Sequence, residues 1–185
     1  MAGPERFELP TAGFEDQNSS TELRTVLNIC MYIEYIDYPE IPKELLLSTQ
    51  EISNLPNIAT PSNFSHFKTK DVNSELRDWL KTTFQFNFGC QYQIVLPGIP
   101  IHTDVGRNVV YNYIIEPGGT EVRTVVYGSK NKDDILQSEI IQSNRWHRLE
   151  VAHYHSVENI NPDSLRFAVS VIPRIASELK PLYRT

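Results

Sequence analysis

The spacing of apolar and polar residues changes several times along this chain, and each change predicts an element. Residues 1–22 follow neither a strand nor a helix period and carry Gly3, Pro4, Pro10 and Gly13, which predicts an irregular lead-in. From Arg24 to Asp37 the β-branched and aromatic run Thr25, Val26, Leu27, Ile29, Tyr32, Ile33, Tyr35, Ile36 predicts a strand that stops at Tyr38-Pro39. Pro42 can open a short helix over Lys43 to Ser48, and Asn54 to Phe67, broken by Pro56 and Pro61, reads as loop. Asn73 or Ser74 then caps a helix running to Phe84, with Leu76, Trp79, Leu80 and Phe84 on the face that packs against a sheet.

After Gly89 the period shortens to two. Strands are predicted over Cys90–Leu96, Asn108–Glu116, Val122–Tyr127, Ile135–Ile141, His147–Val151, His155–Asn159 and Ser164–Ile172. The turns between them hold Pro97-Gly98, Pro117-Gly118-Gly119, Gly128-Ser129-Lys130-Asn131 and Asn161-Pro162-Asp163. Closely spaced short strands without intervening helices predict a mainly β domain, a sandwich or jelly roll flanked by helices from the N-terminal half. Residues 23–185 are expected to form one such domain, with a core over 86–173.

Composition narrows the partners. A formal charge of -6 opposes a phosphate-tracking surface, so nucleic acid is not expected. No apolar segment approaches the roughly 18 to 20 residues that cross a bilayer, and no targeting segment is visible, so a cytoplasmic protein away from membranes is expected. Cys30 and Cys90 lie in apolar runs, where a buried free thiol is the ordinary state. Nothing here sets the oligomeric state.

Candidate chemistry gathers in the β-rich segment. His102 and Asp104 are two residues apart, so in extended backbone they share a face, and Pro97, Gly98, Pro100 and Gly106 around them would leave the pair at a strand end. Two imidazoles and a carboxylate are the ligand set of the 2-His-1-carboxylate facial triad of non-heme Fe(II), which leaves positions open for a co-substrate and O2. The second histidine is His155 or His153, which share a face if that segment is extended. Arg166 interrupts the buried run Leu165 to Val171, and an inward arginine there needs an anion. That anion is either an internal carboxylate such as Glu158 or the distal carboxylate of 2-oxoglutarate, which a guanidinium grips with two parallel hydrogen bonds.

In order, Ile101-His102-Thr103-Asp104, Glu116-Pro117-Gly118-Gly119, Trp146-His147, Tyr154-His155-Ser156-Val157-Glu158-Asn159 and Leu165-Arg166-Phe167-Ala168-Val169-Ser170 resemble the Fe(II) and 2-oxoglutarate-dependent oxygenases, and within them the aspartyl/asparaginyl β-hydroxylase-like branch. The resemblance spans residues 86–173 and implies a double-stranded β-helix of the cupin kind. It also implies iron ligands at His102, Asp104 and His155 and a 2-oxoglutarate-binding arginine at Arg166. Some members carry a serine two residues after the arginine; here that place is Ala168, and Ser170 is the serine able to reach the co-substrate. A further carboxylate-binding position would fall near Tyr111, Asn112 and Tyr113. The implied reaction hydroxylates an unactivated C–H bond of a small molecule or peptide, amino-acid side chains above all, with O2 and 2-oxoglutarate consumed.

Two other readings fit the same residues. One is a cupin-like metal enzyme indifferent to 2-oxoglutarate, using His102, His153 or His155 with an acidic ligand. The other is a non-catalytic β-sandwich interaction module in which the triad is a coincidence of spacing.

Overall fold

The computed structural model describes residues 31–48, 50–51 and 66–174. The predicted lead-in, the strand residues before Met31, Cys30 and most of the Asn54–Phe67 loop lie outside the described residues. The chain divides into two units, Met1–Cys30 and Met31–Thr185, and every described residue belongs to the second.

The elements in order are β1 (Ile33–Ile36), a 3-10 turn (Lys43–Leu45), β2 (Phe67–Asp71), α1 (Ser74–Thr83), β3 (Phe88–Val95), β4 (Val109–Glu116), β5 (Arg123–Tyr127), β6 (Ile135–Ile140), β7 (Trp146–Glu150), β8 (Tyr154–Glu158) and β9 (Arg166–Pro173). A larger antiparallel sheet runs β1-β7-β4-β9-β3-β2 and a smaller one β6-β5-β8. Backbone hydrogen bonds between His102 and His155 attach the segment before β4 to the smaller sheet, beside β8.

These pairings are nested. From β3 onward, the first segment (β3) pairs with the last (β9), the His102 segment with β8, β4 with β7, and β5 with β6. Such nesting folds a long antiparallel hairpin into two facing sheets, which is the jelly roll or double-stranded β-helix. β1 and β2 extend the two edges of the larger sheet.

Alternation along the strands sorts side chains into two layers. Facing the smaller sheet, Ile33, Val110, Ile114, Leu149 and Ala168 meet Val126 and Ile141. On the opposite face, Tyr92, Tyr113, Trp146, Phe167, Val169 and Val171 pack against Leu76, Leu80 and Phe84 of the helical segment. α1 begins as the sequence predicts, with Asn73 Oδ1 accepting from the Leu76 N–H at 2.7 Å. Trp146 is buried in this layer and donates from Nε1 to the Pro39 carbonyl at 2.9 Å. No helix among the described residues is long and apolar enough to cross a membrane.

The structure departs from expectation in two elements. Phe67–Asp71 is a strand rather than the end of a loop, since it pairs residue for residue with Val95–Gln91 of β3. The helix expected over Lys43–Ser48 is a single 3-10 turn at Lys43–Leu45.

Candidate metal centre and buried arginine

Three of the predicted residues meet. His102 and His155 form a mutually hydrogen-bonded antiparallel pair, with backbone N···O distances of 3.0 and 2.8 Å, so their rings project from one face with centroids 4.4 Å apart. Asp104 follows two residues after His102, and its N–H donates to the Val151 carbonyl at 2.9 Å, which ties the end of the H-x-D segment to the turn before β8. Its Oδ1 lies 3.8 Å from His102 Nε2. One ligand atom from each of His102, Asp104 and His155 falls within 4.8 Å of the others, close enough together for one ion to draw on all three.

The hydrogen bonds around the rings select the coordinating nitrogens. His102 Nδ1 is 2.8 Å from the Pro100 carbonyl and His155 Nδ1 is 2.9 Å from the His153 carbonyl. A carbonyl only accepts, so each Nδ1 carries the proton and each Nε2 the lone pair. Burial, and then the nearby His102, depress the pKa of His155 to about 4, so it is neutral at physiological pH, as a metal ligand must be. Arg107 Nε holds the other carboxylate oxygen of Asp104 at 3.2 Å, leaving Oδ1 turned toward the imidazole pair.

His153 does not join them. The chain turns at 151–153, and His153 lies half-exposed, edge-on to Tyr32 with its ring centroid 4.7 Å away and its Nε2 3.8 Å from Glu150. His155 is therefore the histidine of the cluster.

A cavity of about 280 Å³ opens beside the triad, and Arg166 lines it together with Thr124, Asn112 and Ser170. Arg166 is only 5% exposed, and among the described residues its one side-chain hydrogen-bond partner is the Thr124 hydroxyl, reached from Nη1 at 2.8 Å. Burial lowers its pKa to about 10, which still leaves it charged at neutral pH. Glu158, the internal carboxylate considered for it, accepts instead from the Tyr127 hydroxyl. Among the described residues no carboxylate pairs with Arg166. Ser170 Oγ sits 2.8 Å from Gln93 Oε1 and 2.5 Å from Asn112 Oδ1, a short polar chain across β3, β9 and β4.

Tyr111 and Tyr113, expected to contact a co-substrate, lie on the face of β4 turned away from the cavity. Both belong to the layer beneath the helix, with Tyr113 buried and its ring 5.3 Å from that of Trp146, and Asn112 between them faces the cavity. The pleat explains this, since neighbours in a strand point to opposite faces and only Asn112 shares the face of Val110 and Ile114. Arg107, Thr124 and Gln93 were not anticipated. Thr124 did leave a trace in the sequence, as the lone polar residue among Val122, Val125 and Val126 apart from the strand-opening Arg123.

No protein-family model matches the chain, and no curated protein matches it. Several solved structures are similar in part. The oxalate decarboxylase formate complex of Lactobacillus farciminis is 13% identical over 62% of this chain and 30% of that one, with a TM-score of 0.39. A cupin-like protein from Thermotoga maritima is 11% identical over 63% of this chain and 76% of that one, at 0.38. Fe(II)-HppE with the alternative substrate (S)-1-HPP is 10% identical over 63% of this chain and 54% of that one, at 0.41. The chain thus spans under a third of the decarboxylase and about half of HppE. The jelly roll rests on the nested strand pairing described above rather than on these likenesses.

Proposed function

We propose that this protein is an Fe(II)- and 2-oxoglutarate-dependent oxygenase that hydroxylates an unactivated C–H bond. The observation that carries the reading is the pairing, in one cavity, of a two-histidine, one-carboxylate cluster with a buried arginine that has no anionic partner among the described residues. Each half alone has ordinary explanations. Together they provide for a metal and for an anion in the same enclosure, which is what a chelating oxo acid with a second, distal carboxylate requires.

His102, Asp104 and His155 would hold the metal, presenting two Nε2 lone pairs and one carboxylate oxygen. The donor set suits Fe(II), which supplies O2 activation coupled to the conversion of 2-oxoglutarate to succinate and CO2. The chain's own contribution is positional. Pro100 and His153 carbonyls fix the imidazole tautomers, and Arg107 restrains Asp104. Arg166, steadied by Thr124, receives the distal carboxylate and so sets the direction in which the oxo acid lies. Val95, Ile99, Leu149 and Val151 line the same cavity and limit water there.

An amino-acid or peptidyl side chain as substrate rests on the sequence resemblance, and fold does not choose a substrate. The test is turnover of 2-oxoglutarate: the iron-loaded protein with O2 should release succinate, slowly without substrate and faster in the presence of a peptide or amino acid that fits. Metal binding with no succinate under any of these conditions would transfer the protein to cupin-type metal chemistry.

A further inference from the structure

A second concavity, of about 360 Å³, lies outside the proposed mechanism at the Phe88 end of β3, whereas Arg166 stands opposite Val95 at the other end of that strand. Its lining includes Arg77 and Lys81 of α1, Arg174 just beyond β9, Asp71 of β2 and Phe86. Arg77 and Lys81 are four residues apart on the helix and so share one side of it. Among the described residues the groove presents three cations against one carboxylate, Asp71, in a chain whose formal charge is -6.

The arginines are not spoken for. Lys81 has an exposed partner in Asp78 at 2.7 Å, but neither Arg77 nor Arg174 pairs with a carboxylate among the described residues, although the chain holds 23 acidic residues to 17 basic ones. Arg174 is anchored through its backbone N–H, which donates to the Asn87 carbonyl at 3.0 Å. Phe86 is exposed and edge-on to Phe84 and Phe88, with ring centroids 5.4 and 6.2 Å away, so an apolar surface adjoins the cations.

Position indicates what the groove could serve. Gln91 of β3 lines both this groove and the cavity beside His102, Asp104 and His155, so the two adjoin there. A free amino acid occupies only the metal cavity, whereas an extended polypeptide, advancing about 3.3 Å per residue, continues past Gln91 into the second. On a net acidic molecule a cationic groove next to the site is where an acidic partner is attracted rather than repelled.

We propose that this groove docks an acidic segment of a polypeptide substrate, while a neighbouring residue of the same polypeptide enters the metal cavity past Gln91. The inference rests on the oxygenase reading above and narrows its substrate to a polypeptide with carboxylates flanking the target residue. Arg77 and Arg174 bind those carboxylates, and Phe86 packs against the aliphatic part of the segment.

The experiment measures binding of fluorescently labelled hexaglutamate to the whole metal-free chain by anisotropy at low ionic strength, with hexaglutamine as the uncharged control. Wild type should bind hexaglutamate and not hexaglutamine, and about 1 M salt should abolish the binding. Arg77→Ala combined with Arg174→Ala should weaken it roughly 10-fold or more through loss of two charge pairs. The melting temperature should not change, because both side chains are exposed. A nitroxide at one end or the other of the bound peptide should broaden the imidazole resonances of His102 and His155. Equal affinity for the two peptides, or wild-type affinity in the double variant, overturns the docking site. Tighter binding of tripolyphosphate than of hexaglutamate assigns the groove to phosphate and overturns it likewise. Broadening of neither histidine by either label overturns the link to the metal cavity. Failure of the oxygenase reading shows separately, as iron-loaded protein that releases no succinate from 2-oxoglutarate.

Discussion

Replacing Arg166 by methionine separates a cation kept for a ligand from one kept for the fold. The guanidinium is 5% exposed, donates once, to a neutral hydroxyl, and has no carboxylate partner among the described residues. Burial lowers its pKa well below the ordinary arginine value, to about 10, which corresponds to a cost of about 3 kcal/mol for keeping it charged. Below about pH 10 the group is charged in folded and unfolded chains alike, so this cost is constant through the neutral range and is relieved only as pH rises above about 10. Against it stands the hydrogen bond to Thr124, worth about 1.5–3 kcal/mol for a charged donor. Methionine retains most of the apolar stem, so the terms nearly cancel, and urea unfolding of the ligand-free Arg166→Met protein should give a stability within about 1 kcal/mol of wild type, or higher. Affinity for 2-oxoglutarate should fall by about 100-fold or more, because a buried charge-paired clamp is lost. Arg166→Lys should lie between, keeping the charge without the fork. A variant that loses several kcal/mol of stability while binding 2-oxoglutarate normally would show that Arg166 serves the fold.

Other expectations follow from the same geometry. Asp104→Ala should abolish tight iron binding yet change urea stability by less than about 1 kcal/mol, because the ion pair it removes with Arg107 is partly exposed; a large loss of stability would make Asp104 structural. His155 has a folded-state pKa of about 4 against an ordinary 6.5, and His147 is lowered as well, so the unfolded chain takes up protons first as pH drops. Metal-free protein should therefore be most stable above about pH 6.5 and lose stability as pH falls toward 4, by up to about 3 kcal/mol from His155; a flat profile over that window would contradict the burial of these rings. Asn73→Ala, which removes the acceptor for the Leu76 N–H, should cost about 1 kcal/mol in urea unfolding, and Asn73→Asp should not.

The strands from β3 to β9 were legible because their two-residue alternation and the turn residues between them are local properties, and the helix because its cap and apolar face are. β2 was not legible. Phe67-Lys68-Thr69-Lys70-Asp71 contains one apolar residue, and it is a strand because β3 offers it an edge. The grouping of His102, Asp104 and His155 was readable for a related reason: the H-x-D spacing puts two candidate ligands on one face wherever the backbone is extended, and the third candidate arrives through the pairing of His102 with His155. The choice between His153 and His155 depended on where β8 begins, which no local pattern encodes, and the turn at 151–153 sends His153 away from the cluster. Tyr111 and Tyr113 illustrate a similar limit. Aromatic residues suit either face of a strand, and which face is the cavity was decided by the sheet stacked against β4 and by the helix behind it. The single polar residue in that strand's interior, Asn112, was the better indicator.

The most direct test of the central claim is an anaerobic titration of metal-free protein with Fe(II) and then 2-oxoglutarate, following the weak visible charge-transfer absorption of an oxo acid chelated to iron. The band should appear in wild type, be absent in Asp104→Ala, and require far more 2-oxoglutarate in Arg166→Met. Iron binding without the band would contradict the oxygenase reading, and failure to bind iron at all would reduce the grouping of His102, Asp104 and His155 to coincidence.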